Sequence, residues 1–425
     1  MSGRLRIKSS CVILSNMESM YSLYLHIPFC QKRCHYCDFN SYADMEQMLP
    51  AYVDALCREI DECGKVVPVH TIYLGGGTPS LLSPDQIRKI LKTIRRQFAL
   101  TTDVEISLEA NPGTVNLEKL EKMRQAGVNR LSLGIQSANM SELAFLGRIH
   151  GVVEIRQAME WARSAGFDNI NLDLMFGLPG QKMKPWQNSI EFALNLEPDH
   201  ISFYGLTIED DTLLGYWVKK GLVEIPDPDL GADMYEWAGQ RLEQAGFAAY
   251  EISNWARIDH QRGWLMCRHN LQYWRSLPWL GFGAGAHGFT KGLRLVNASR
   301  IEDYINRIRN GSPLSFPLSP ANVEVIKLNK WDEAQEMMMM GLRLTHEGVS
   351  ADDFNDRFGI SLEDAFGCQI SGLMRYGLLE WVNIDGLRLR LTRKGWLLGN
   401  QVFMEFVGCP LPLLFDNDQG AISIG

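Results

Sequence analysis

Three cysteines fall within eight positions of the 425-residue chain, in Cys30-Gln-Lys-Arg-Cys34-His-Tyr-Cys37, while the other six lie singly. Thiols at i, i+4 and i+7, in a loop just after an apolar run, can converge on one inorganic centre. Zinc accepts such ligands, with His35 or a remote residue as the fourth. Structural zinc sites, however, pair two short knuckles, and no second knuckle follows here. A four-iron cluster held by three thiolates leaves one iron open to a small molecule, and the spacing differs from that of four-cysteine ferredoxins. An odd cysteine total with scattered singles fits no secreted disulfide framework and points to a reducing compartment, the cytoplasm.

Other residues able to do chemistry sit at matching places further along. Gly75-Gly-Gly-Thr-Pro79, Glu109-Ala-Asn-Pro112, Gln136, Asp173 and Tyr204-Gly205 each lie at or just after the end of a short apolar or β-branched run. The runs cover residues 22–27, 71–74, 104–108, 130–135, 169–175 and 200–204, and amphipathic stretches at 49–62, 84–98, 117–126, 152–165 and 185–196 separate them. This alternation predicts an α/β fold with a parallel sheet and crossover helices. Parallel sheets bind ligands at the C-terminal ends of their strands, so these strand ends predict one composite site. The three glycines lack dinucleotide-fingerprint spacing. They suit either a tight strand-to-helix turn or bare backbone against a ligand.

From about residue 251 the pattern changes to Trp, Asn, His and Gly, and from 331 it becomes helical again. Two runs at 378–382 and 387–391 flank a turn at 383–386, a hairpin that with its helices makes a winged-helix-like α+β module. Residues 331–425 carry 7 Lys/Arg against 14 Asp/Glu, which accounts for most of the chain's net −8. Such an acidic module is a poor reader of phosphate, so no nucleic-acid partner is expected. Arg388, Arg390, Arg393 and Lys394 read as solvated charges of the wing. The run Met337–Met340 reads as part of a helix packed against it. No apolar run is long enough for a transmembrane segment. The N-terminal basic residues Arg4, Arg6 and Lys8 leave only a weak organelle-transit signal in a ragged leader.

Tyr24-Leu-His-Ile-Pro-Phe-Cys30-x3-Cys34-x2-Cys37 resembles the signature of the radical S-adenosylmethionine (SAM) superfamily, in its oxygen-independent coproporphyrinogen III oxidase family. Gly75–Pro79, Glu109-Ala-Asn-Pro-Gly113, Leu133-Gly-Ile-Gln136-Ser and Asp173-Leu-Met-Phe-Gly-Leu-Pro-Gly180 extend the resemblance over roughly residues 20–400. The resemblance implies a partial (β/α) TIM-like radical SAM barrel at 21–250, behind a leader at 1–20. A connecting segment at 251–330, the winged-helix-like domain at 331–409 and a tail at 410–425 complete the division. It also implies a 4Fe-4S cluster on Cys30, Cys34 and Cys37, whose open iron is chelated by S-adenosyl-L-methionine. By the same resemblance Tyr24, Gly76, Gly77, Thr78, Glu109, Gln136, Arg148 and Asp173 contact that cofactor. Acids suit its ammonium and ribose hydroxyls, and a guanidinium suits its carboxylate.

The chain departs from the oxidase at Phe39, where that branch carries a fourth cysteine. His269-Asn270-Leu-Gln-Tyr273-Trp274, with Glu251-Ile-Ser-Asn254 and Gly283–Gly288, is instead similar to the HNxxYW subfamily of heme chaperones. That implies heme as cargo, with His269 as axial ligand and Tyr273 and Trp274 as apolar wall. Spacing alone reads His269 as a buried histidine among aromatics, and Cys267 and His287 are rival ligands. An apo-hemoprotein acceptor and an electron donor for the cluster are the implied partners. The alternatives are radical oxidative decarboxylation of a tetrapyrrole and a zinc-stabilised α/β protein. No catalytic residue is assigned.

Overall fold

A computed structural model describes residues 20–63, 66–412 and 415; the leader and most of the tail expected from the sequence lie outside these. Six strands, β1 (Tyr21–Ile27), β2 (Pro68–Gly76), β3 (Ala99–Ala110), β4 (Arg130–Gln136), β5 (Ile170–Phe176) and β6 (His200–Gly205), pair in chain order and all in parallel. Between them run α1 (Leu49–Glu62), α2 (Pro84–Gln97), α3 (Leu117–Ala126), α4 (Val152–Ser164) and α5 (Met183–Asn195). Local chemistry sets their ends. Ser83 and Gln86 form a reciprocal capping box ahead of α2, with Pro84 at its first position. Gly127 closes α3 at φ 116°, which only a residue without Cβ adopts freely. β2 and β3 outrun their apolar runs because ladder pairing with neighbours carries their polar ends.

Residues 251–330, read from the sequence as a connecting segment, enlarge this sheet. After α6 (Pro228–Gln244), β7 (Asn254–Asp259) joins β6 antiparallel. Helix α7 (Arg268–Trp274) follows, and β8 (Trp279–Phe282) then returns to pair parallel with the far side of β1. From there β9 (His287–Thr290), β10 (Leu293–Asn297) and β11 (Asn322–Lys327) continue antiparallel, and the sheet stays open between its two edges.

Alternation along the strands divides the sheet into two chemically different faces. Leu23, Leu25, Ile72, Leu74, Leu131, Leu133, Leu172 and Leu174 are wholly buried under the helices, each contributing about 1.5–3 kcal/mol of apolar burial. The opposite positions, including Tyr73, Glu109, Arg130, Ser132, Asn171 and Asp173, line a common interior cavity. That polar interior makes the sheet a partial barrel.

One buried acid ties the returning segment to the first helix. Glu59 of α1 accepts from the Gly283 amide at 2.9 Å, Tyr304 Oη at 2.8 Å, Asn297 Nδ2 at 2.9 Å and Ser319 Oγ at 2.8 Å. Burial raises its pKa, and these four donors hold it down.

A second core lies beyond α8 (Ile301–Asn310). It is built on α9 (Lys330–Gly341), α10 (Ala351–Phe358), α11 (Leu362–Arg375) and the hairpin β12 (Leu379–Asn383)–β13 (Leu387–Leu391). Met337 and Met338 are buried in it. The hairpin charges differ from expectation at Arg388, which is 8 % exposed and donates from Nε to the Ile384 carbonyl at 3.0 Å. Arg390 pairs with Glu380 at 2.9 Å across the hairpin, whereas Arg393 reaches Glu243 of the barrel at an exposed position.

Replacing Glu59 by Ala leaves four donors facing a void. Thermal or urea denaturation of Glu59→Ala is expected to register a loss of about 3–5 kcal/mol, and a loss under about 1 kcal/mol would contradict this account.

Candidate cofactor and cargo site

The cysteine loop leaves the C-terminal end of β1. Phe29–Cys30 pairs with Tyr42–Ala43 to close its base. Its crown is held from far along the chain. The His35 amide donates to the Leu146 carbonyl at 3.1 Å, and Nδ1 bonds the Phe145 carbonyl at 2.8 Å. The Leu214 amide donates to the His35 carbonyl at 2.8 Å, and Trp217 stands edge-on to the imidazole at 4.9 Å between centroids. Cys30, Cys34 and Cys37 all line a cavity of about 490 Å³. Among the described residues no three His, Cys, Asp or Glu side chains stand close enough to share a single ion. A cluster that takes each cysteine on a different iron does not need them so close.

Around that cavity the strand ends deliver the polar groups. A Cβ on Gly77 would stand 2.7 Å from the Phe29 carbonyl oxygen and 3.0 Å from Cys30 Sγ, so bare backbone is what fits beside the cysteine loop. Thr78 Oγ1 lies 3.6 Å from Cys30 Sγ and accepts from Asn111 Nδ2 at 3.1 Å; Asn111 Oδ1 in turn accepts from Arg148 at 2.9 Å. A hydrogen-bonded line therefore joins the first cysteine to Arg148, whose buried Nε has no partner among the described residues. Gln136 sits at φ 63°, where a bulge between Gly134 and Gln136 breaks the ladder and turns the chain at the cavity wall.

Glu109 accepts from Tyr73 Oη at 2.9 Å and from the Gly76 amide at 3.1 Å. Burial, and then the Asp173 charge, pushes its pKa up to about 7. Burial also raises Asp173, opposed by hydrogen bonds from Ser132 at 2.9 Å and Asn171 at 2.8 Å. Gly76, Gly77, Thr78, Glu109, Gln136, Arg148 and Asp173 thus share one cavity with the three cysteines.

Tyr24 lies one layer lower. It bonds His26 Nδ1 at 3.0 Å and lines a deeper cavity of about 240 Å³ that shares Tyr73, Glu109, Ser132, Asp173 and Tyr204 with the first. His269 and Tyr273, from α7, line this deeper space too. His269 is 1 % exposed, stacked on Tyr73, with Nδ1 against Thr71 Oγ1 at 2.8 Å and Nε2 against Tyr273 Oη at 2.9 Å. Burial, with His70 and Arg130 nearby, lowers its pKa to about 3, so the ring is neutral. Both ring nitrogens are committed, and an iron can reach Nε2 only after the Tyr273 hydroxyl withdraws.

Trp274 does not join them. Its ring lies in a separate cluster with Tyr250, Cys267 and Leu344, under the Arg343 guanidinium at 4.7 Å. The helical turn that aims position 273 at the cavity carries 274 about 100° away. Of the rival ligands, Cys267 is buried, with its thiol pushed up to about 12 by burial, and His287 is exposed at the start of β9.

The sequence reading missed Arg130, Tyr73, Ser132 and Asn171, and named Asn111 only within the Glu109–Pro112 strand end. A signal was present in Arg130-Leu-Ser-Leu-Gly-Ile-Gln136 and Asn171-Leu-Asp173, where polar and apolar residues alternate as they do in a strand with one polar face.

The radical SAM superfamily profile matches residues 24–193, and the HemN C-terminal domain profile matches 328–398. A heme chaperone HemW of Bacillus subtilis is 39 % identical over 393 residues, covering 92 % of this chain and 100 % of its own. The chain belongs to the HemW family. A HemW of Escherichia coli is 42 % identical over 63 % of this chain and 69 % of its own. A mouse radical S-adenosyl methionine domain-containing protein 1, mitochondrial, is 35 % identical over 86 % of this chain and 83 % of its own. The solved structure of coproporphyrinogen III oxidase (HemN) from Escherichia coli superposes with TM-score 0.76 at 24 % identity, covering 91 % of this chain and 90 % of that one, and shows the fold. As a HemW-family radical SAM protein, the chain has a 4Fe-4S cluster and S-adenosyl-L-methionine as its implied cofactors. The donor set fits them, with three thiols on one cavity wall, an unpartnered buried guanidinium nitrogen and two cavity-facing acids.

Two outcomes check this geometry. Gly77→Ala forces the Cys30 loop aside, so iron per chain after reconstitution is expected to fall well below wild type; unchanged iron content would contradict the close approach. The second concerns pH. With its pKa raised from 4.5 to about 7, folded Glu109 keeps a proton that the unfolded chain releases. Stability of the cofactor-free protein should therefore fall as pH rises from about 4.5 to about 7 and level off above, by up to about 3 kcal/mol less the screening of cavity water. Urea titrations across that range on Glu109→Gln should show the slope reduced.

Proposed function

We propose that this protein is a heme-binding chaperone of the radical SAM type, holding heme as cargo and handing it to an apo-hemoprotein acceptor in the cytoplasm. Cys30, Cys34 and Cys37 would hold the 4Fe-4S cluster, for which an electron donor is the expected partner. Gly76, Gly77 and Thr78 would hold S-adenosyl-L-methionine, with Arg148 for its carboxylate and Glu109, Gln136 and Asp173 for its ammonium and hydroxyls. When bound, the cluster supplies one-electron chemistry and an iron open to the cofactor's amino and carboxylate groups. The chain's own residues bind and orient: the Thr78–Asn111–Arg148 line fixes the guanidinium, and Glu109 and Asp173, raised by burial, ionise more readily when a cation lies beside them. The domain division expected from the sequence is proposed at the same bounds, with the strands inside the connecting segment 251–330 extending the barrel sheet.

The observation that carries this reading is the full-length likeness to relatives named heme chaperone HemW. Phe39 supports it. Its ring is 63 % exposed at the rim of the cluster cavity, at the position where the resembled oxidases carry a further cysteine. For cargo binding, His269 is the ligand of choice once Nε2 exchanges its bond to Tyr273 for iron, with Tyr273 as wall. Trp274 contributes by packing α7 against the second core.

Anaerobic reconstitution should yield about four irons per chain, and stoichiometric zinc without iron would refute the cluster. Hemin titration followed at the Soret band tests the cargo site. His269→Ala should abolish the band shift, and Tyr273→Phe should tighten hemin binding by freeing Nε2. An unchanged spectrum in His269→Ala would remove His269 as ligand. Incubation with coproporphyrinogen III, reductant and S-adenosyl-L-methionine should give no protoporphyrinogen, and its accumulation would overturn the chaperone reading in favour of the oxidase.

A further inference from the structure

Below the cofactor cavity the inner face of the sheet holds a buried cation that no described residue engages by a hydrogen bond. Arg130 opens β4 and is 2 % exposed. Among the described residues its guanidinium makes no hydrogen bond or ion pair, and its Nε is fully enclosed without a partner. Buried arginines are almost always paired, because an isolated charge in a protein interior is costly.

The acids of the same interior are all turned to other donors. Glu105 accepts from the His269 amide at 3.3 Å and from Cys267 Sγ at 3.7 Å, and faces Arg268 at 3.9 Å. Glu109 is taken by Tyr73 and Gly76, and Asp173 by Ser132 and Asn171. Arg130 influences these acids through space, yet none of them occupies its fork. It lines the 240 Å³ cavity together with the polar side chains of Asn171, Ser202, Asn254 and Asn270. Tyr204, 41 % exposed, lines both cavities and marks the way in.

We propose that Arg130 anchors a carboxylate-binding site in this deep cavity. A planar guanidinium with free donors accepts a carboxylate at two points, and the surrounding amides and hydroxyls can complete its shell. Burial raises the pKa of both Glu109 and Asp173, which lessens the charge they set against an entering carboxylate. The site is separate from Arg148. The Arg148 guanidinium reaches Gly134, four residues and about 13 Å along β4 from Arg130, and Arg148 does not line the deeper cavity. The carboxylate comes either from a propionate arm of the cargo or from a free organic acid. The first source rests on the heme reading and the second does not.

The test uses the reconstituted full chain as wild type, Arg130→Gln and Arg130→Lys. Each is titrated with hemin, with hemin dimethyl ester, whose propionates are blocked, and with succinate followed by melting temperature. If the arm is the source, wild type binds hemin at least about thirtyfold more tightly than the ester, and Arg130→Gln erases the difference while leaving ester affinity unchanged. If a free acid is the source, hemin and ester bind alike and succinate raises the melting temperature of wild type saturably but not that of Arg130→Gln. Absence of both Arg130-dependent effects overturns the site. Absence of any Soret shift with either heme compound refutes the heme reading, and the succinate arm then decides on Arg130 alone. Should Arg130→Gln lose its iron, Arg130→Lys makes the same comparison, since it keeps the charge and loses the two-point fork.

Discussion

The organising constraint of this protein is charge on the inner face of a parallel sheet. Parallel sheets are ordinarily apolar on both faces because helices or other strands cover both. Here one face is apolar, packed under five crossover helices, while the other carries acids, a guanidinium, amides and phenols at alternate positions of β1–β6. Such a face stays folded only if each group has a partner or access to a wet cavity. That requirement explains why β8 returns to extend the sheet on the far side of β1. It also explains why α7 brings His269 and Tyr273 inward, and why networks such as Ser132–Asn171–His200–Tyr250 cross several strands.

The same constraint separates two levels of chemistry. At the strand ends, thiols, bare backbone and Arg148 face a cavity that reaches the surface. Deeper down, Arg130 and a layer of hydroxyls and amides face a smaller one. The wall between them is Tyr73, Glu109 and Asp173. Both acids respond to their surroundings, so what occupies one level alters the protonation felt at the other. α7 adds a mechanical link. Its Tyr273 faces the barrel while Trp274 rests under Arg343, which also covers Phe403 of the second core, so one short helix spans both bodies.

Much of this was legible in the chain. The limits of α1 follow from its amphipathic period, and those of α3 also from its Asn116 cap and terminal Gly127, all of them local signals. Convergence of the strand ends was legible as well, since topology brings them together whatever the register. What spacing could not give was direction. Whether Trp274 shares the face of Tyr273, or whether His269 keeps a free nitrogen, depends on partners as distant as Thr71 and Arg343. Arg388 read as solvated because a wing is usually exposed, yet a carbonyl four residues back encloses it. Arg130 escaped notice because an arginine opening a strand reads as an edge charge until the register shows which face it takes.

The clamp on the cysteine loop has a consequence for how the centre is made. The three thiols span eight residues, but the backbone that shapes them is pinned by Phe145, Leu146 and Leu214. A chain emerging from the ribosome presents its cysteines early and the groups that hold His35 only some 110 to 180 residues later. Until then the loop pays closure entropy without its distant anchors. The anchored loop is therefore available to metal only once the chain has been made through Leu214, about half its length, so iron delivery meets a half-built barrel rather than a nascent cysteine motif.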